Sequence, residues 1–301
     1  MTQMPHPLPH PPAAVARRLP VLAGSLLAAF LAVLATRGYS ETTTLLVLSS
    51  LLMFGCCWAS ASHLLGGRAA LRLVLLGTCL GWLAEQMGAT HGWFFGRYVY
   101  TGVLGPRLGA VPIVIPMMWF ALCYIGYLMS NLIVWQAPSD APAPLGQHLL
   151  MSLLGAMIVT CYDLGVDPYM VYKLKAWTMA ETDGAWFGET VQGFAGWMFV
   201  SFTILLAFRL GLRGRLPVPS APVGVRHTLV PLGVYAGLML FQVCLGYPVE
   251  ARTIALFAMG FPLLAAACGL LRWRREAAQA IAPGAALPAQ AAAEPAFREA
   301  A

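Results

Sequence analysis

Three acidic residues stand where acids are rare. Glu85 lies within one apolar run, and Asp163 and Asp167 lie at the end of another. A charged side chain inside a membrane span costs about 2.5–3.5 kcal/mol at the centre on insertion scales, and less near the boundary. Acids in such places face a bundle interior and carry function by default. One that holds its proton near neutral pH can serve as a general acid. The plainer reading is that these acids bond to Tyr, Trp or backbone groups and hold helices together. For Asp167, beside Pro168, a helix-end role weighs equally.

Each acid-bearing run is followed by a loop dense in Gly and aromatic residues. The stretch 81–100, GWLAEQMGATHGWFFGRYVY, contains GWFFG at 92–96. The stretch 160–197 repeats the plan with GAWFG at 184–188. Many of these aromatics would suit an ordinary interfacial belt. A belt does not explain the alternation with Gly, which lets a loop fold tightly against a ligand or a helix. An apolar polyene would find a wall there, and aromatic faces stabilise a carbocation by cation–π attraction. His91, Phe95, Tyr98, Trp119, Trp186 and Trp197 are the candidate substrate contacts. His91 and His63 are possible proton carriers or haem ligands, though the one reads as a loop residue and the other as an interfacial one, and haem is not the expected cofactor. No His pair is expected to face across helices at one depth.

The elements that must position these residues are membrane helices. Of 301 residues, 59% are hydrophobic and only 10% charged, and the mean hydropathy is +0.72. A soluble domain carries about 25% charged residues; here the solvent must be lipid. Apolar runs fall at about 19–36, 43–65, 69–88, 111–135, 147–166, 193–211, 227–246 and 252–271, each near the ~20 residues that a spanning helix needs. The expected fold is an all-α, polytopic bundle of eight helices over 17–275, or seven if the first is a cleaved signal, between disordered tails at 1–16 and 276–301. Pro168 should end the fifth helix.

Arg17, Arg18, Arg68, Arg72, Arg209, Arg213 and further arginines fall on one side if eight helices alternate. That side should be cytoplasmic, with both termini, in a bacterial inner membrane. The loops at about 89–110 and 167–192 then share the other face, with most of the acids, including Glu41 and Glu189. Glu85 and Asp163 each come about 16 residues into their helices, so at ~1.5 Å per residue they reach similar depth. Helices three and five run the same way, and their similar loops suggest a weak parallel repeat of two helix–loop–helix units.

Other functions find no support. The arginines sit between apolar runs rather than along one face, so nucleic acid is not an expected partner. The seven cysteines show neither CxxC nor His pairing at metal spacing, so no metal site is expected. Nucleotide-binding glycine loops, HExxH, a Ser-His-Asp signature and the DDxxD of prenyl-diphosphate enzymes are all absent from the sequence.

Two segments carry a resemblance. GWLAEQMGATHGWFFGRYVYTGVLGPRLGAVPIVIPMMWF resembles the pattern E…G…G-x-x-F-G-x-Y-x-Y…L-G-P…V-P…P…W. TCYDLGVDPYM with GAWFGETVQGFAGW resembles D-x-x-x-D-P…G-x-x-x-G…F-x-G-W, with Thr190 and Gly193 standing where that pattern often has Pro and Asn. Over about 45–270 the chain is similar to the integral membrane carotenoid-biosynthesis family that includes CruF-type carotenoid 1',2'-hydratases and bisanhydrobacterioruberin hydratase. The resemblance implies addition of water to the terminal double bond of an acyclic carotenoid, such as lycopene or gamma-carotene, with no redox cofactor. The residues fit this chemistry on their own account: Asp163 or Glu85 is the expected acid, the other acid or Asp167 the group that orients and deprotonates water, and Trp119, Trp197 and Tyr98 the shields of a tertiary cation. Isomerisation through the same cation is the alternative chemistry. A carotenoid or lipid carrier and a proton-coupled transporter are the non-enzymatic alternatives, and membrane lipid is a partner in every reading.

Overall fold

The computed structural model describes residues 14–213, 219 and 223–281. Eight helices take up the eight apolar runs one for one: α1 (Ala14–Arg37), α2 (Thr43–Leu64), α3 (Gly67–His91), α4 (Val114–Val134), α5 (Leu145–Pro168), α6 (Val191–Gly211), α7 (Val225–Leu245) and α8 (Glu250–Ile281). By length and composition each is suited to crossing a membrane. The architecture is the all-α bundle expected. The tails expected at 1–16 and 276–301 lie outside the described residues, apart from 14–16 and 276–281, which belong to α1 and α8.

The bundle is built around α4, which packs on α2, α3, α5 and α8. Every residue from 119 to 132 is buried, so this helix is apolar all round, as a helix enclosed by others must be. One polar interaction anchors its far end. Arg209 of α6, wholly buried, reaches Asp140 beyond α4 at 2.6 Å and Ser130 at 2.8 Å. Its guanidinium also lies 4.5 Å from the Tyr127 ring centroid.

The ends of α3 and α5 are cut by identifiable residues. Gly92 stops α3 in a left-handed conformation (φ 73°), and the Gly92 and Trp93 amides return to the Gly88 and Met87 carbonyls at 2.8 and 3.4 Å. Pro168 is the last α-helical residue of α5, but the winding continues as a π-helical turn over Tyr169–Leu174. Proline lacks the N–H that would bond the carbonyl of Leu164, four residues back. The indole N–H of Trp186 takes up that carbonyl at 3.0 Å. The break expected at Pro168 is thus a change of helix type, held by a side chain from the second aromatic loop.

The two aromatic loops meet. Strand β1 (Tyr98–Tyr100) pairs antiparallel with β4 (Trp177–Met179), Tyr100 opposite Trp177; β2 (Arg107–Leu108) and β3 (Val111–Pro112) form a small hairpin between them. The loop motifs also turn alike. Their closing glycines, Gly96 and Gly188, have φ of 84° and 86°, and Phe94 and Phe187 lie in the left-handed region at 62° and 49°. The ribbon joins the α3–α4 and α5–α6 hairpins at one end of the bundle.

Candidate active site

Beneath the β1–β4 ribbon lies a cavity of about 100 Å³. Glu85, Asp163 and Asp167 all line it. Of the six expected contacts, Phe95, Tyr98, Trp119 and Trp197 line it too. His91 and Trp186 stand elsewhere. His91 is exposed at the end of α3, bonded to Thr90 at 2.7 Å, and Trp186 supports α5 as described. The wall continues through residues that had not been singled out, among them Phe30 and Leu34 of α1, Met53 of α2 and Met118 of α4.

Glu85 is fully engaged. Its Oε2 accepts from the Tyr98 and Tyr100 hydroxyls at 2.5 and 2.7 Å, and its Oε1 accepts from the Trp119 indole N–H at 2.9 Å. Tyr98 and Tyr100 can converge because alternate residues of a strand share a face. Burial, followed by the neighbouring Glu85 charge, pushes both phenols well above their ordinary range, so they remain donors. Gly81, one helical turn before Glu85, admits Trp119: a Cβ there would lie 2.6 Å from the Trp119 Cβ and Cγ. The Trp119 ring in turn stacks on Trp197, with centroids 4.4 Å apart and planes 28° apart.

Asp163 is the opposite case. It is 1% exposed, and neither carboxyl oxygen has a hydrogen-bond partner among the described residues. Asp167, one turn later, shares the cavity wall with Trp177. Glu189, the residue after GAWFG, is buried at 2% exposure. One oxygen from each of Asp163, Asp167 and Glu189 lies within 4.8 Å of the others. Three carboxylates at this spacing cannot all carry charge unless a proton or a cation is shared among them. Glu189 had been read only as one acid among those of the outer face. Its place directly after the Gly-aromatic turn was the available signal.

The cation beside this cavity is already committed. Arg37 lines the wall but forms a double hydrogen bond to Glu41, at 3.0 and 3.1 Å. Tyr169 also donates to Glu41. At the opposite end of the bundle, His63 of α2 and His227 of α7 face each other with Nε2 and Nδ1 3.1 Å apart. This corrects the expectation that no His pair would meet across helices. Contact between helices far apart in the chain leaves no local period by which a sequence reveals it.

A family profile described as "Carotenoid biosynthesis protein" matches residues 42–265. The chain belongs to the carotenoid biosynthesis protein family. It is also similar to bisanhydrobacterioruberin hydratase of Haloarcula japonica, 33% identical over 161 residues. That alignment covers 50% of this chain and 49% of the relative, so the chain spans about half the length of the curated relative it matches. No solved structure shows significant similarity. Family membership and the likeness to a hydratase support a carotenoid-modifying role for this integral membrane protein, and its acids and stacked indoles are the groups available for that role.

Proposed function

We propose that the chain adds water across the terminal 1,2 double bond of an acyclic carotenoid end group, by acid catalysis through a tertiary carbocation. The observation that carries this reading is the contrast between two acids on one apolar, aromatic cavity. Glu85 is held by three donors, one of them an indole that can only donate, which is the environment of an ionised carboxylate. Asp163 is buried without a hydrogen-bond partner among the described residues and lines the same space.

Asp163 is the proton donor in this reading. Its O–H proton goes to the less substituted alkene carbon, and the π electrons form the new C–H bond. The positive charge stays on the tertiary carbon. The Trp119 and Trp197 faces and the fixed Glu85 charge stabilise it. A water oxygen bonds to that carbon and passes its extra proton to Asp167. Proton return from Asp167 to Asp163, its neighbour within 4.8 Å, resets the site. No redox change occurs, and the product gains one water.

The distribution of arginines supports a bacterial inner-membrane protein with both termini cytoplasmic. The cavity then opens toward the outer half of the bilayer. Lycopene and gamma-carotene are the substrates of choice for a test, because both carry an open, unsaturated end. Expression in lycopene-producing bacteria should yield carotenoids heavier by one or two waters, and Asp163→Asn should abolish the gain. An altered carotenoid of unchanged mass would favour isomerisation. Unaltered lycopene, gamma-carotene and longer acyclic carotenoids would favour a carrier.

A further inference from the structure

Glu189 has no part in the reaction as just written, yet it is among the most thoroughly buried acids of the molecule. It does not line the cavity. It reaches the site through Asp167, on the side away from the substrate space. We propose that Glu189 is a positioning residue: a neutral carboxylic acid that donates its O–H to Asp167 and so fixes the carboxylate that takes the proton from water. This inference rests on the hydratase reading for the role of Asp167, but not for the state of Glu189.

The geometry supports it in three ways. First, an oxygen of Glu189 and one of Asp167 lie within 4.8 Å of each other, and two carboxyl groups this close and this buried are compatible only when one of them keeps its proton and can donate it to the other. Second, the ionisable groups nearest Glu189 are acids: Asp163 and Asp167 approach it from α5, with one oxygen of each within 4.8 Å of a Glu189 oxygen. Among the described residues the two ion pairs of the molecule, Arg37–Glu41 and Arg209–Asp140, lie elsewhere. Third, Glu189 Oε1 has no hydrogen-bond partner among the described residues, so none of them stabilises a second charge there. Burial and the neighbouring Asp167 both push its carboxyl group well above the usual carboxylate range.

Backbone structure explains how an acid comes to be held there. Gly188 and Gly184 exchange both backbone hydrogen bonds, at 3.2 and 3.1 Å, and the Glu189 amide returns to the Trp186 carbonyl at 2.9 Å. This tight turn delivers Glu189 inward. The same turn sends Trp186 to the α5 carbonyl that Pro168 frees, so Glu189 and Asp167 are set by a single local arrangement.

The test compares a neutral donor with a side chain that cannot donate. Glu189→Gln keeps an N–H donor and should lower turnover by no more than about threefold. Glu189→Leu leaves Asp167 unanchored and should lower kcat at least about tenfold with KM little changed. Both variants are to be quantified in the membrane fraction, with thermal unfolding in detergent to set aside a folding defect. Equal loss in Gln and Leu variants would overturn the proposal, since it would mean that charge at position 189 matters. So would full activity in the Leu variant, or activity abolished by a chelator and restored by a divalent cation. Infrared spectra answer independently of catalysis. At about pH 8 the wild-type protein should show a protonated-carboxyl band that Glu189→Gln diminishes, although free carboxylates ionise near pH 4.3. A band unaffected by that substitution would overturn the assignment, whether or not the chain hydrates any carotenoid. If the band behaves as stated but no hydrated product forms, the hydratase reading alone falls.

Discussion

Asp163 and Glu85 are the same chemical group in the same cavity with opposite surroundings, and the proposed reaction gives them different roles. Asp163→Asn retains shape but has no proton to give, so hydration should fall at least about 100-fold, read from product per unit of membrane protein. Glu85→Gln should act differently. It turns an amide N–H₂ toward hydroxyl and indole donors, and loss of hydrogen bonds to a charged group costs about 1.5–3 kcal/mol each. A fall in unfolding temperature as well as in activity is the expected result. Glu189 carries a pH dependence whose sign is fixed by its raised proton affinity. Above about pH 4.3 the unfolded chain loses this proton and the fold keeps it, so stability declines as pH rises. Thermal unfolding between about pH 5 and 8 should show a shallower decline in Glu189→Gln than in wild type. Sequence alone pointed to Glu85, Asp163 and Asp167, because acids inside apolar runs are conspicuous. It could not rank them, since the difference lies in Tyr98, Tyr100 and Trp119, which reach Glu85 from two other segments.

At the level of elements, the helices were legible and the joints between them were not. Long apolar runs bounded by Gly, Pro and Arg specify spans almost by themselves. The β1–β4 ribbon was illegible because its strands are three residues each and lie far apart in the chain. Pairing of that kind leaves no local period to read. The π-helical turn after Pro168 escaped for a related reason, since it depends on Trp186 capturing the freed Leu164 carbonyl. Trp186→Phe removes that donor while keeping the ring. It should cost about 1–3 kcal/mol by leaving the carbonyl unsatisfied, and activity should drop as Asp167 loses its register. Gly81→Val tests the α3–α4 contact. The added side chain must displace Trp119, so turnover should fall, and tryptophan emission should shift as the ring leaves its buried stack.

The molecule as a whole has its candidate reactive groups at one end, beside the Arg37–Glu41 pair, and the Arg209–Asp140 ion pair at the other. Arg209 was read as one of several charges marking the cytoplasmic side, yet it is buried against Asp140. Asp140→Ala strands that charge and should destabilise the protein by about 3–5 kcal/mol. The double variant Asp140→Leu with Arg209→Met should recover most of the loss in detergent unfolding, because an apolar pair leaves no orphaned charge. The cluster around Glu85 has a different consequence. Glu85 and its three donors belong to the α3–α4 hairpin, whereas Asp163 and Asp167 come from α5 and Glu189 from the loop after it, so no single hairpin owns the whole site. A partly assembled chain therefore has no working version of it. Activity and native structure should vanish along one and the same curve on heating, which makes pigment conversion in the cell a built-in gauge of how much of this protein has matured.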